Sequence, residues 1–314
     1  MTPAPIAVSA YRRVDHFAAT INALKKNRYA VESELYILSD AAMPGDEEKV
    51  KAVRDYAKGT MGFKRLEVIE RETNSRTYNN RRGMQMLLEK YGKVIFLEED
   101  IVTAPGFLAF INKGLSVYED RKDIFSVCGY SPPIDPKFCK SEVYLSKRFV
   151  AWGFGIWAEN YDSIVMDITE RHYDQIMNSR RERKEFNRAG KDLETMLFRE
   201  SRGEIDALDV KINYTLYKSG AFVVAPPESL TNNIGHDGSG TYCGNTKIFD
   251  VSLSFSTNEY EMRKNIPYDL GVEKKLIRFR KTVMAARNKP YYKQFITKLK
   301  NTWKRILQQI TRNL

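Results

Sequence analysis

Cysteine and histidine are scarce in this 314-residue chain, at three of each. Cys128, Cys139 and Cys243 are odd in number and lack metal-site spacing, which argues against a disulfide framework and for reduced structural thiols. Long apolar runs are missing too: no window reaches the roughly 18 uninterrupted apolar residues of a membrane-crossing helix. The opening "MTPAPIAVSAYRR" has no basic segment followed by an apolar stretch, so a cytoplasmic setting is expected. Acidic residues are lacking in one region only. From Gly271 to Leu314 there are 13 Lys and Arg against the single acid Glu273, whereas residues 1–270 balance at 38 basic and 39 acidic side chains. The net charge of +11 therefore belongs to the C-terminal segment. A near-neutral body argues against a basic groove for nucleic acid and for a separate electrostatic device at the C-terminus.

What is present is ample core material, 42% hydrophobic residues, arranged as alternating strand and helix patterns. Strands are predicted over 5–11, 33–40, 64–70, 93–100 and 124–130, and helices over 14–27, 46–59, 78–92 and 106–119. Such alternation implies crossover connections and a mostly parallel α/β sheet covered on both faces. Ligands bind beyond the carboxyl ends of strands in sheets of this kind. Candidate site residues stand there: Tyr11 and Arg12, Asp40, and the run Glu98, Glu99, Asp100.

That run sits in "KVIFLEEDIVTAPGF", where an apolar strand passes straight into three carboxylates. Like charges repel, and a hard divalent cation bridging them to phosphate oxygens would offset the repulsion. The competing reading is a strand that ends in a solvated acidic turn. "VIFLEEDIVTAPGFLAFI" resembles the metal-binding segment of GT-A glycosyltransferases, most closely the N-acetylglucosaminyltransferase I family. "ILSD" precedes it, and "IFSVCGY", "AWGFGIWAENYDSI", "LDVKINYTLYKSG" and "ESLTNNIGHDGSG" follow in the family's order, over roughly residues 5–245.

The resemblance implies an inverting transferase that moves a sugar from a nucleotide diphosphate sugar, such as UDP-GlcNAc, to a glycan acceptor. In that reading Asp100 holds Mn²⁺ or Mg²⁺ on the donor diphosphate, with Glu99 near the sugar or metal-bound water and Glu98 supporting. Asp40 meets the uracil ring, and Tyr11 and Arg12 border the nucleotide. A cation at the leaving phosphate also makes independent chemical sense, because negative charge grows there during transfer. In "FVAWGFGIWAENYD", Gly153 and Gly155 permit close backbone approach, and Trp152, Phe154 and Trp157 offer flat apolar faces. The segment reads as core with a turn, or, by the resemblance, as the donor-sugar and acceptor floor.

Inversion needs a base at the acceptor hydroxyl. Asp206 and Asp209 are available, and Asp209 matches the family's catalytic Asp although Leu208 and Val210 replace the family's flanking Trp and second Asp. The alternative role for Asp209 is a helix N-cap. The glycines of "NNIGHDGSGTYCGN" read as a surface loop or a lid, and His236 within it matches a family His near metal and diphosphate. His16 and His172 read as helix-surface residues. The charged stretch 169–203 reads as helix with a solvated face, or one that meets an anionic acceptor.

After Pro290, apolar residues from Tyr292 to Ile310 recur at helical spacing among lysines, a basic amphipathic helix that packs on the body or on a partner subunit, or docks on an anionic membrane. Charge favours the membrane, so a peripheral enzyme elongating a lipid-linked glycan is expected. The expected division is 1–258 as the GT-A domain, with a nucleotide-sugar half to about 130 and an acceptor half over 131–258, and 259–314 as a helical tail. A sugar-phosphate nucleotidyltransferase is a rival, but "AVSAYRRVDHF" lacks its Gly-rich loop. A non-enzymatic module docking through the tail is a second.

Overall fold

The computed structural model describes residues 2–240, 245–253 and 260–286. Its elements in chain order are β1 (Ile6–Ala10), α1 (Val14–Lys25), β2 (Glu34–Ser39), α2 (Glu47–Lys58), β3 (Arg65–Glu70), α3 (Arg76–Tyr91), β4 (Lys93–Glu98), β5 (Ile101–Thr103), α4 (Phe107–Val117) and β6 (Ile124–Cys128). There follow β7 (Tyr144–Ser146), β8 (Phe154–Trp157), α5 (Ala158–Asp162), α6 (Glu170–Met177), α7 (Arg180–Phe186), α8 (Asp192–Ser201), α9 (Leu208–Ser219), β9 (Phe222–Ala225) and β10 (Thr231–Asn233).

The main sheet has eight strands in the order β3-β2-β1-β4-β8-β6-β9-β7, and β10 with β5 forms a separate ribbon. From β3 to β4 every pairing is parallel, whereas β8 runs antiparallel to both of its neighbours. The α/β architecture with a mostly parallel central sheet is thus as expected. Alternation along the strands divides their apolar side chains between two cores. Ile6, Val8, Leu35, Ile37, Ile95 and Leu97 pack with Phe17, Ile21 and Leu24 of α1 and Phe107, Phe110 and Ile111 of α4. Ala7, Tyr36, Leu38, Val94 and Phe96 face the other way, onto Met84, Leu87 and Leu88 of α3 and Ile212 and Leu216 of α9. Each fully buried Phe, Leu or Ile contributes about 1.5–3 kcal/mol, so both faces are firmly seated.

The charged stretch is helical as expected, but in three pieces. It forms α6, α7 and α8 around a small core of Ile168, Ile176, Phe186, Leu193 and Leu197, completed by Val210 and Tyr214 of α9. The breaks come where Ser179 caps α7 by accepting from the Glu182 amide, and at Gly190, whose φ of +131° no helix tolerates. Residues 260–286 lie along the body: 270–286 is helical, with Val272 and Leu276 packed on Phe138 and Tyr144, and Met262 enters the first core. Cys128 and Cys139 are free thiols, and Cys243 and the predicted amphipathic helix after Pro290 fall outside the described residues. Among the described residues no helix is long and apolar enough to cross a membrane.

Candidate functional site

Glu98 is the last residue of β4, the chain turns through Glu99 and Asp100, and it leaves as β5. The ribbon with β10 fixes that turn, because Ile101 pairs with Asn233 and the Ile234 amide donates to the Asp100 carbonyl at 2.9 Å. Glu99 and Asp100 are consequently 6% and 7% exposed, so these two carboxylates are withdrawn from solvent, while the Glu98 side chain stays 34% exposed.

At the end of the neighbouring strand β1, "YRR" splits in two directions. The Tyr11 amide donates to Glu99 at 2.5 Å, while the Tyr11 hydroxyl and Arg12 both donate to Asp46, at 3.0 and 2.7 Å. Arg13 turns onto the carboxylates: Nε donates to Glu99 and Nη2 to Asp100, both at 2.7 Å. Burial works against its charge, but Asp100 and Glu99 outweigh that and hold the guanidinium protonated. Asp40, beyond β2, accepts from the Ala41 and Ser75 amides at 3.0 Å and from Asn74 at 3.3 Å, fastening the approach to α3 beside the same edge.

The glycine loop after β10 closes the far side. Gly235 lies so near that a Cβ there would stand 2.0 Å from Asp100 Oδ2. Further along, Asp237 meets His16 at 3.1 Å and the Ser239 hydroxyl meets Arg13 at 3.4 Å. His16 therefore touches the loop instead of lying idle on the helix surface. His236 is 8% exposed and forms a triangle of rings with Trp152 and Phe249, its centroid 5.1 and 5.2 Å from theirs and theirs 5.5 Å apart. Trp152 also stacks edge-on with Tyr130 at 4.5 Å. Gly153 permits this packing, since at φ +80° it presses on Thr231 and Phe107. Phe154 and Trp157 belong to the core, Trp157 donating from its indole to the Leu115 carbonyl. Only the Trp152 part of that aromatic segment reaches the site.

Asp209 lies in the first turn of α9, but Ala207 occupies the N-cap and no side chain caps this helix, so the capping role does not apply. Two ties hold that turn: the Ala207 amide donates to Glu200 at 2.8 Å, and the buried Lys211 ammonium reaches Glu200 at 3.0 Å and Asp206. Burial raises the pKa of Asp209, opposed by Arg148, which pairs with Asp192, and by Arg76. Glu98 is pushed up to about 7 by burial and the charge of Asp100, with Arg76 at 3.8 Å opposing and Asp209 and Glu99 adding to the rise. Asp209 thus adds to the rise at Glu98, and Arg76 opposes the rise in both. His172 stays apart, its ring closing the first turn of α6 with Thr169.

Two features of the turn fit a divalent cation. Asp100 Oδ1 is buried with no hydrogen-bond partner among the described residues, and burial leaves Glu98 and Glu99 both harder to ionise than usual. Among the described residues no three His, Cys, Asp or Glu side chains converge as a ready metal cage. The fit is to a cation that takes one carboxylate from the protein and completes its shell with phosphate oxygens and water.

No family model matches the chain, and no curated protein matches it. Solved structures similar to it include the mannosyltransferase PcManGT from Pyrobaculum calidifontis in complex with GDP-Man and Mn²⁺, 13% identical over 70% of each chain with a TM-score of 0.41. S. aureus TarS is similar over 74% of this chain and 37% of its own, at 12% identity and a TM-score of 0.39. A TarS fragment, residues 1–349, matches 49% of this chain and 46% of its own at 13% identity and 0.33. Likeness at this level assigns no chemistry, which rests on the side chains at the sheet edge.

Arg13, Asp46, Arg148 and Lys211 escaped the sequence reading. Arg13 stands beside Arg12 directly after a strand end, but nothing local separates the two.

Proposed function

We propose that the chain is an inverting, divalent-metal-dependent glycosyltransferase of the GT-A type, using a nucleotide diphosphate sugar, with a UDP-sugar such as UDP-GlcNAc the favoured donor. The observation that carries this reading is Asp100: a buried carboxylate at the carboxyl edge of a mostly parallel sheet, with one oxygen lacking a partner among the described residues, among like charges. Asp100 would hold Mn²⁺ or Mg²⁺, which when bound stabilises the charge growing on the leaving diphosphate. Glu99 and Glu98 shape the field around it, and Tyr11, Arg12 and Asp40 border the nucleotide. Trp152, Gly153 and His236 form the apolar wall against which a sugar ring packs. Asp209 accepts the proton of the acceptor hydroxyl, and its raised pKa suits a base more than an ordinary surface Asp does.

The acceptor in this reading is a glycan, lipid-linked where the basic C-terminal segment docks the enzyme on an anionic membrane. The deciding experiment is a donor-hydrolysis and transfer screen over UDP-, GDP- and dTDP-sugars with Mn²⁺, run beside Asp100→Asn. Wild-type turnover that needs the metal is expected, and Asp100→Asn should lose most of it together with the metal dependence of nucleotide binding while keeping the wild-type circular dichroism. Unchanged metal dependence in that variant would remove Asp100 from the role.

A further inference from the structure

We propose that Arg13 is a built-in counter-ion that competes with the divalent cation for Asp100, so that a cation taking both oxygens of that carboxylate binds only by displacing the guanidinium from Oδ2. The inference rests on the reading of Asp100 as the metal-bearing carboxylate. Its basis is geometric: one guanidinium spans two buried carboxylates, Nε on Glu99 and Nη2 on Asp100 Oδ2, each at 2.7 Å. Arg13 is itself only 19% exposed, and Asp100 is enclosed by the backbone of Gly235. A single positive charge therefore already offsets the acidic turn, and a cation taking both Asp100 oxygens must first break a charge-assisted hydrogen bond. The bond to Glu99 need not break with it, which leaves Arg13 beside the site as a second positive charge for the diphosphate. The Ser239 hydroxyl touches the same guanidinium through Nη1, so its displacement is transmitted to the loop after β10. The device keeps the fold intact without metal and makes metal entry depend on the extra oxygens that a nucleotide diphosphate supplies.

The test is Mn²⁺ binding, read from the free-ion electron paramagnetic resonance signal, with and without UDP or GDP, in wild type, Arg13→Gln and Arg121→Gln. Without nucleotide, Arg13→Gln should bind Mn²⁺ roughly ten- to a hundredfold more tightly than wild type, the scale of one hydrogen bond to a charged group. Arg121→Gln removes the same charge from Asp123, ahead of β6 and outside the site, and should stay within about twofold of wild type. In EDTA, Arg13→Gln should melt below wild type, because two buried carboxylates lose their counter-ion. Equal Mn²⁺ affinity in wild type and Arg13→Gln overturns the proposal, and so does an equal gain in both variants, which would mean net charge alone. If Mn²⁺ binds to none of them even with nucleotide, the metal role of Asp100 falls as well; binding that needs nucleotide but ignores Arg13 leaves that role standing. Should Arg13→Gln fail to fold, Arg13→Lys keeps the charge but cannot span both carboxylates, and an affinity no tighter than wild type would likewise overturn the inference.

Discussion

A carboxylate that is hard to ionise destabilises the fold that holds it, and Asp209 is in that position because burial raises its pKa. The sign follows directly. Above the folded-state value both states are ionised and the full penalty is present; below the unfolded value, about 3.9, both are protonated and it vanishes. Asp209→Asn should therefore melt at or above wild type near pH 7 and lose that advantage as pH falls toward 4, which a series of melting curves would register. Its kcat should drop by about 10²-fold or more with donor affinity nearly unchanged, and near-wild-type turnover would shift the base to Asp206. At this scale the sequence was legible where chemistry is concentrated: three carboxylates after an apolar strand are conspicuous. Arg13 was not distinguishable from Arg12, because its partners lie 86 and 87 positions away and no local pattern records them.

Elements were legible in proportion to their length. The helices α1 to α4 and the strands β1 to β4 follow from apolar period and end signals, whereas β5, β7 and β10 are three residues each, too short to show alternation. Yet the β5–β10 ribbon is what fixes the acidic turn. The seat of α9 was equally hidden, since it depends on Lys211 and Glu200, whose side chains are 6% and 4% exposed and read in sequence as surface charge. Lys211→Met leaves Glu200 buried without its cation and should lower stability by about 3–5 kcal/mol in urea unfolding. Glu200 still holds the Ala207 amide, so a loss below about 1 kcal/mol would show that the ion pair does not anchor the helix.

For the molecule as a whole, charge and packing divide the chain at different places. The excess of basic residues begins near 271, but Val272, Leu276 and Val283 are buried against the body, and Glu273 pairs with Arg188 at 2.6 Å. Charge was readable by counting; that the first part of the basic segment is also core was not, because its apolar positions match those of any amphipathic helix. Truncation after 271 should therefore lower the melting temperature through the loss of these contacts. Truncation after 286 spares them and still removes eight Lys and Arg, each contributing about 1 kcal/mol near an anionic surface. Co-sedimentation with anionic phospholipid vesicles should be strong for the full chain at low salt, weaker at high salt, and lost in the shorter truncation without a change in melting. Vesicle binding that survives that truncation would place the docking surface elsewhere.

The contact between Gly235 and Asp100 bears on redesign. A laboratory wishing to change donor or acceptor preference would naturally shuffle the glycine-rich stretch after β10, which looks permissive. Position 235 is not: with 2.0 Å between a hypothetical Cβ and a carboxylate oxygen, every side chain there pushes on the acidic turn itself. Loop libraries and grafts that hold this one position fixed keep the acidic turn intact, while those that do not will discard most of their clones for a reason unrelated to specificity.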